Sequence, residues 1–266
     1  MKNIKPLKRF GQNYLVDKNI IRKIVDELNP AEQECIVELG PGKGAITEEL
    51  LERVNKIFAV EIDRRIIDDL RNKYPKLTVF ENDILKFDFK KLKEKCDSKI
   101  RIIGNIPFNI TAPIIFKLIE NRELIEDAVL MVPHEIAKRF TGVRGTKDYG
   151  ILSVLLEYYC TVKLCFKVSP NVFFPKPKID SAVVHIYFNK STDKEINDQT
   201  FIQVVKAAFG NRRKTLKNSL SNSIFRIYNY SRAGIDLTKR AEELNLEDFL
   251  TLTKFFQKEA NAAKQR

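Results

Sequence analysis

Between residues 34 and 133 the chain alternates between short apolar runs and longer stretches in which apolar residues recur every three or four positions. The runs "ECIVELG", "KIFAVEID", "LTVFEND", "RIIGNIP" and "DAVLMVP" are rich in Ile, Val, Leu and Phe. Between them, "AITEELLERV", "RRIIDDLRNKY" and "APIIFKLIEN" carry a helical period. Strands that are apolar on both faces, alternating with amphipathic helices, predict a parallel sheet covered on both sides. Two further β-like runs, "TVKLCFKVS" and "DSAVVHIYF", are joined by "PNVFFPKPKI", whose three prolines and lack of helical period predict an extended loop. After Asn189 the texture changes. A polar stretch, "KSTDKEINDQ", leads into "TFIQVVKAAF", "RKTLKNSLSNSIF", "TKRAEEL" and "LEDFLTLTKFFQKEA", all helical in period. The pattern predicts an α/β domain over 1–190 and a small all-α domain over 191–266.

Composition sets bounds on this picture. A chain of 266 residues, 44% hydrophobic, can bury the core of one large domain and one small one. No stretch approaches the roughly 18 apolar residues of a membrane span. The start, "MKNIKPLKRFGQNYL", lacks the apolar segment of a secretory signal, so a cytoplasmic protein is expected. Cys35, Cys96, Cys160 and Cys165 are scattered without a CxxC, and the histidines are His134 and His185. Neither a metal site nor a disulfide is expected, and the cysteines read as small buried apolar residues.

The net charge of +12 is unevenly placed. From Gln199 to Ile235 there is no acid, but there are seven bases: Lys206, Arg212, Arg213, Lys214, Lys217, Arg226 and Arg232. Residues 1–16 carry Lys2, Lys5, Lys8 and Arg9, again without an acid. Clustered positive charge attracts phosphates, and nucleic acid is the expected partner rather than an anionic membrane, for which a strongly amphipathic basic helix is missing.

Two strand ends carry candidate chemistry. "VELGPGKGA" fits a G-x-G-x-x-A turn over Gly40, Gly42 and Ala45, with Glu61 ending the next strand 21 residues after Gly40. Glycines there let a ligand approach the backbone, and an acid at that distance accepts hydrogen bonds from ribose hydroxyls. The fragment indicates an adenosine-type ligand and does not separate NAD from S-adenosylmethionine. Asp83 ends the third strand; it suits an adenine amino group and equally an Asx turn. Asn105, in "GNIPFNIT", ends the fourth, at the edge where open α/β sheets bind ligands. An exocyclic amine is a poor nucleophile because its lone pair is delocalised into the ring. The Asn105 side-chain oxygen and the Ile106 carbonyl can accept its two hydrogens and localise that pair. Pro107 fixes the backbone and removes a competing N–H, and Phe108 offers a face for stacking a base flipped out of a duplex.

At these residues the chain resembles the small-subunit rRNA adenine dimethyltransferases, the KsgA/RsmA family, within the S-adenosylmethionine-dependent amino methyltransferases. The matching stretches are "KRFGQNYL", "VELGPGKGAIT", "GNIPFNIT", "YGILSV", "FFPKPKIDSAVV" and "RRKTLKNSL", spread over residues 8–220. The resemblance implies a Rossmann-like sheet with S-adenosylmethionine as cofactor. It implies dimethylation of N6 on two adjacent adenosines in the 3′-terminal hairpin loop of small-subunit rRNA, during ribosome biogenesis, by a monomer. It further implies that Asn13 and Leu15 close over the cofactor, that Gly40 and Gly42 line it, that Glu61 holds the ribose, that Asp83 takes the adenine amine, and that Ile62 and Ile84 also bind the cofactor. Asn105 would meet both the cofactor and the target amine, and Phe108 and Phe173 would enclose the target base. Lys8, Arg9, Arg212, Arg213, Lys214 and Lys217 would meet rRNA. Position 108 is Phe where the family usually has Tyr, which keeps stacking and loses a hydroxyl.

Three other readings compete. An NAD-dependent oxidoreductase accounts for the glycine turn and Glu61 but leaves "NIPF" and the basic tail without a role. A non-catalytic rRNA-binding assembly factor accounts for the basic helical domain. A large-subunit rRNA methyltransferase of the macrolide-resistance type shares "GQN" and an N-I-P-aromatic motif.

Overall fold

The computed structural model describes residues 6–7 and 11–264. By contact the chain divides into two compact units, 1–137 with 162–188, and 138–161 with 189–266. One crossing between the units, at 188/189, lies beside the expected boundary at 190, but 138–161 also falls in the second unit.

The first unit opens with β1 (Tyr14–Leu15) and α1 (Lys18–Leu28). Asp17 starts α1 by accepting hydrogen bonds from the free N–H groups of Asn19 (2.9 Å) and Ile20 (3.0 Å). Asn29 ends it in the left-handed region at φ 46°. Ile21, Ile24, Val25 and Leu28 form its buried stripe, at the i, i+3, i+4, i+7 spacing of a helix lying on a sheet. Then follow β2 (Cys35–Leu39), α2 (Ala45–Leu51), β3 (Lys56–Glu61), α3 (Arg64–Lys73), β4 (Thr78–Glu81), β5 (Ile100–Asn105), α4 (Thr111–Glu120) and β6 (Ile125–Pro133). Helix α5 (His134–Phe140) crosses the boundary between the units. After α6 (Ile151–Tyr159), in the second unit, the chain returns through β7 (Thr161–Val168), the short β8 (Phe173–Phe174) and β9 (Ser181–Tyr187).

The main sheet has the order β4-β3-β2-β5-β6-β9-β7. Its first five strands are parallel, and β9 runs antiparallel to β6. The sheet is mixed, with the parallel part matching the five strand-like runs of 34–133. The chain winds outward from β2 to β4, then jumps back to lay β5 on the other side of β2. The carboxyl ends of β2 and β5 therefore flank the switch point, where an open sheet leaves a crevice. β1 and β8 form a separate two-stranded ribbon, with Tyr14 opposite Phe174 and Leu15 opposite Phe173.

One expectation about the cysteines is corrected. Cys35 at the start of β2 and Cys96, 61 residues on, are joined as a disulfide with Cα atoms 5.8 Å apart, while Cys160 and Cys165 are free. The sequence hides this because the pair is far apart along the chain and only the fold brings the two backbones within bridging range.

The second unit is helical, with α6 joined by α7 (Asp198–Phe209), α8 (Leu216–Ser221) and α9 (Leu246–Lys264) and by short 3-10 turns. Aromatic rings hold it together. Tyr158 and Tyr159 of α6 lie 4.8 and 6.0 Å from Phe201 of α7, which is why 138–161 belongs to this unit. Phe209 stacks on Phe249 at 5.8 Å, and Phe225 on Phe256 at 4.1 Å. Among the described residues no helix is long and apolar enough to cross a membrane.

Candidate active site

A cleft of about 240 Å³ opens at the switch point, many times the roughly 30 Å³ share of a water molecule and thus sized for an organic ligand. Four strand ends and one strap of chain build it. The strand ends supply Glu38 and the glycine turn after β2, Glu61 and Ile62 after β3, and Asn105 to Phe108 after β5; Asp83 and Ile84 follow β4. The strap, 11–15, runs to β1 and supplies Asn13, Tyr14 and Leu15.

The turn after β2 works through its glycines. Gly44 sits at φ 80°, a conformation strained for other residues, and a Cβ there would meet the Tyr74 side chain at 2.7 Å and that of Leu70 at 3.0 Å. Gly40 and Gly42 also have positive φ, 67° and 53°, and the Tyr14 ring closes on Gly42. Glu61 is buried, and its carboxylate accepts from three main-chain N–H groups: Gly42 (3.3 Å), Ile62 (2.9 Å) and Asp63 (3.0 Å). Burial pushes its pKa up, against those three donors, and the Asp63 charge adds to the rise. Asp83 makes the Asx turn, its carboxylate accepting from Leu85 N (2.9 Å), and the residue also lines the cleft.

Asn105 is held by the strap. Its Nδ2 donates to the Asn13 carbonyl at 2.8 Å, which fixes the amide with Oδ1 as its acceptor end. The N–H of Ile106 donates to Met131 O (3.0 Å), extending the β5–β6 ladder to the rim. Pro107 and Phe108 follow at the edge, and Thr111 Oγ1 donates to the Phe108 carbonyl (3.2 Å), pinning the turn to α4.

Every residue expected to hold a cofactor lines this one cleft: Asn13, Leu15, Gly40, Gly42, Glu61, Ile62, Asp83, Ile84 and Asn105. Pro107 and Phe108 line it too. Phe173 does not. It is 4% exposed and packs in the core with Leu15 and Val168, whereas its neighbour Phe174 is 61% exposed. Successive residues of a strand face opposite ways, and pairing with the buried Leu15 turns Phe173 inward.

The basic residues also divide. Arg212 donates from one nitrogen to the carbonyls of Thr146 (3.3 Å), Lys147 (2.6 Å) and Tyr149 (2.9 Å) and from Nε to Glu242 (3.2 Å). It acts as a clamp within the second unit, and an arginine so engaged is a poor phosphate ligand. Arg213, Lys214 and Lys217 are exposed. Lys8 and Arg9 lie outside the described residues.

Sequence reasoning missed several cleft residues, Glu38, Gln12 and Lys43 among them. Glu38 is 1% exposed and accepts from Thr47 Oγ1 at 2.5 Å; burial first, then the Glu61 charge, pushes its carboxyl up to about 7. Its signal was there, a lone carboxylate inside the apolar run "CIVEL". Gln12 donates to Asp63 (3.2 Å) and accepts from Tyr14 Oη (2.9 Å), latching the strap to the start of α3. Lys43 lies over the Tyr14 ring at 5.0 Å.

The residues present fit an adenosyl ligand carrying a cationic sulfur. Two buried carboxylates, Glu38 and Glu61, stand beside a backbone that a ligand can approach closely, with Ile62 and Ile84 to flank a flat ring. Among the described residues no cluster of His, Cys, Asp or Glu is placed to hold a metal ion.

Comparison with known proteins agrees. A family described as "Ribosomal RNA adenine dimethylase" matches residues 3–258. A ribosomal RNA small subunit methyltransferase A from Chlorobium phaeobacteroides (strain BS1) is 45% identical over 93% of this chain and 92% of its own. A dimethyladenosine transferase from Plasmodium falciparum, a crystal structure, superposes with a TM-score of 0.77 at 27% identity, covering 92% of this chain and 98% of that one. The 23S rRNA methyltransferase ErmE shares the fold at a TM-score of 0.65 and 24% identity over 91% and 98% of the two chains. With its glycine turn, buried acid and amide-bearing rim in one cleft, and with that match over residues 3–258, the chain belongs to the ribosomal RNA adenine dimethylase family.

Proposed function

We propose that the protein dimethylates N6 of two adjacent adenosines in the 3′-terminal hairpin loop of small-subunit rRNA, using S-adenosylmethionine, as a step in ribosome biogenesis. The observation that carries the reading is the Asn105 amide, whose Nδ2 is engaged by the Asn13 carbonyl so that Oδ1 is left as its acceptor, in the same cleft as Glu61 and the glycine turn. The relatives' names support the choice of small-subunit RNA.

When bound, S-adenosylmethionine supplies an electrophilic methyl group on a cationic sulfur. Glu61 accepts the ribose hydroxyls, Asp83 takes the adenine amine, and Ile62 and Ile84 flank the ring. Asn13 and Leu15 cover the pocket. Asn105 Oδ1 and the Ile106 carbonyl accept the two N–H hydrogens of the target amine and turn its lone pair toward the methyl group. Phe108 stacks on the target base. Among the described residues lining the cleft there is no histidine, so the N6 proton passes to water after attack. Orientation of this kind contributes about 7–11 kcal/mol in well-aligned systems.

Exposed Arg213, Lys214 and Lys217 extend the RNA contact, and the protein acts as a cytoplasmic monomer on a small-subunit particle. Tritiated S-adenosylmethionine offered with small-subunit precursors and, separately, with protein-free large-subunit RNA tests the reading. Label recovered as N6,N6-dimethyladenosine from the small-subunit RNA is the expected result; label confined to large-subunit RNA would replace it.

A further inference from the structure

The proline-rich loop after β8 presents an aromatic side chain and two cations to solvent. Phe174 is 61% exposed and Ile179 is 44% exposed, with exposed Lys176 and Lys178 between them. A lone exposed Phe is unremarkable, but this one is placed by the ribbon. Residues directly opposite in an antiparallel pair share a face and lie about 5 Å apart. Phe174 is opposite Tyr14, and Tyr14 lines the cleft. The next strap residue, Asn13, holds the Asn105 amide. One cross-strand step therefore separates the reacting rim from an exposed phenyl ring flanked by lysines.

We propose that this loop is a landing platform for single-stranded RNA beside the cleft, where Phe174 stacks on an unpaired base and Lys176 and Lys178 hold adjacent phosphates. The proposal rests on the functional reading above and extends it to the nucleotides next to the target. An aromatic face interleaved with cations is the chemistry that binds single strands, since every base has a π-face and every linkage a charge.

The chain contains no tryptophan, so Phe174→Trp makes a single emitter at the platform. An RNA hairpin with two adjacent loop adenosines is titrated into the full chain with S-adenosylhomocysteine present. Emission is expected to be quenched on binding, and Phe174→Ala to weaken RNA affinity about tenfold or more at unchanged Tm and unchanged cofactor affinity. Lys176→Gln with Lys178→Gln is expected to reduce the slope of log affinity against log salt by about 1.4. Saturating RNA that leaves the tryptophan emission unchanged, with Phe174→Ala binding like wild type, would overturn the platform. Methyl transfer by wild type is measured in parallel on small-subunit precursors: intact transfer there with an unquenched tryptophan refutes the platform alone, while absent transfer refutes the functional reading and the platform with it.

Discussion

At Asn105 a hydrogen bond does what an isolated motif cannot. An amide at a strand end can point either end at a ligand, and the Asn13 carbonyl, 2.8 Å from Nδ2, selects the oxygen. Gly104, one residue back, lets this happen. A Cβ there would meet the main-chain oxygen of Leu39 at 2.6 Å, and main chain cannot step aside. Gly104→Ala is expected to push β5 from β2 at the rim, lowering Tm and cofactor affinity together, as thermal melts and calorimetric titration would show. Glu38 carries a pH signature. Its folded pKa stands above the unfolded value, so burial favours the protonated form; that stability is complete below about pH 4 and is lost as pH rises toward 7. Ligand-free wild type is expected to lose up to about 3 kcal/mol between pH 5 and pH 8 on this account, and Glu38→Gln markedly less, in denaturant melts at the two pH values. Glu61 and Asn105 were legible because a polar residue closing an apolar run marks a strand's carboxyl end. Phe173 was misread because its direction depends on pairing with a two-residue strand, and nothing in "NYL" announces that strand.

Among the elements, β5 links the site to a polar network at its other end. Arg101, at the start of the strand, donates to both oxygens of Asp127 (2.9 and 2.6 Å), to Glu34 (2.7 Å) and to the Leu28 carbonyl (2.6 Å). The Asp127 carboxylate also bonds His185 on β9 (2.8 Å), whose other ring nitrogen meets Glu27 of α1 (3.0 Å). The network ties α1, β5, β6 and β9 together, and Arg101 and His185 beside Asp127 hold its carboxyl below the usual range despite burial. Arg101→Met leaves that buried charge unpaired and is expected to cost about 3–5 kcal/mol in urea melts. With four strand steps from Arg101 to Asn105, about 13 Å, the KM for cofactor should hold. Apolar runs and helical periods made β2 to β6 readable. The helix α6 was not read, because a segment such as "ILSVLLEYY" is apolar on nearly every side and has no period to show.

For the whole molecule, the +12 charge and the acid-free stretch 199–235 remain the guide to partner class, but the structure sorts the charges. Arg212, although partly exposed, is tied to the carbonyls of its own unit: Arg212→Ala is expected to lower the stability of the chain by about 1–2 kcal/mol. Arg213, Lys214 and Lys217 are surface: their joint change to Gln is expected to leave Tm in place and to reduce the salt slope of RNA binding by about 2. Net charge could be counted from sequence, yet which arginine faces its own carbonyls and which faces solvent is decided by the packing of 138–161 against 189–266. That packing joins segments far apart along the chain, which is why the sequence pattern shows one boundary where the chain crosses between units three times.

The central claim is that the fixed amide of Asn105 steers an adenine amine toward a sulfur-borne methyl group. The most direct measurement pairs single-turnover methyl transfer to small-subunit RNA with calorimetric cofactor binding, for wild type and Asn105→Ala. The account expects transfer to fall at least about 100-fold while the cofactor dissociation constant moves by less than about tenfold, the split left by an interaction made chiefly in the transition state. Transfer by Asn105→Ala at close to the wild-type rate would contradict it.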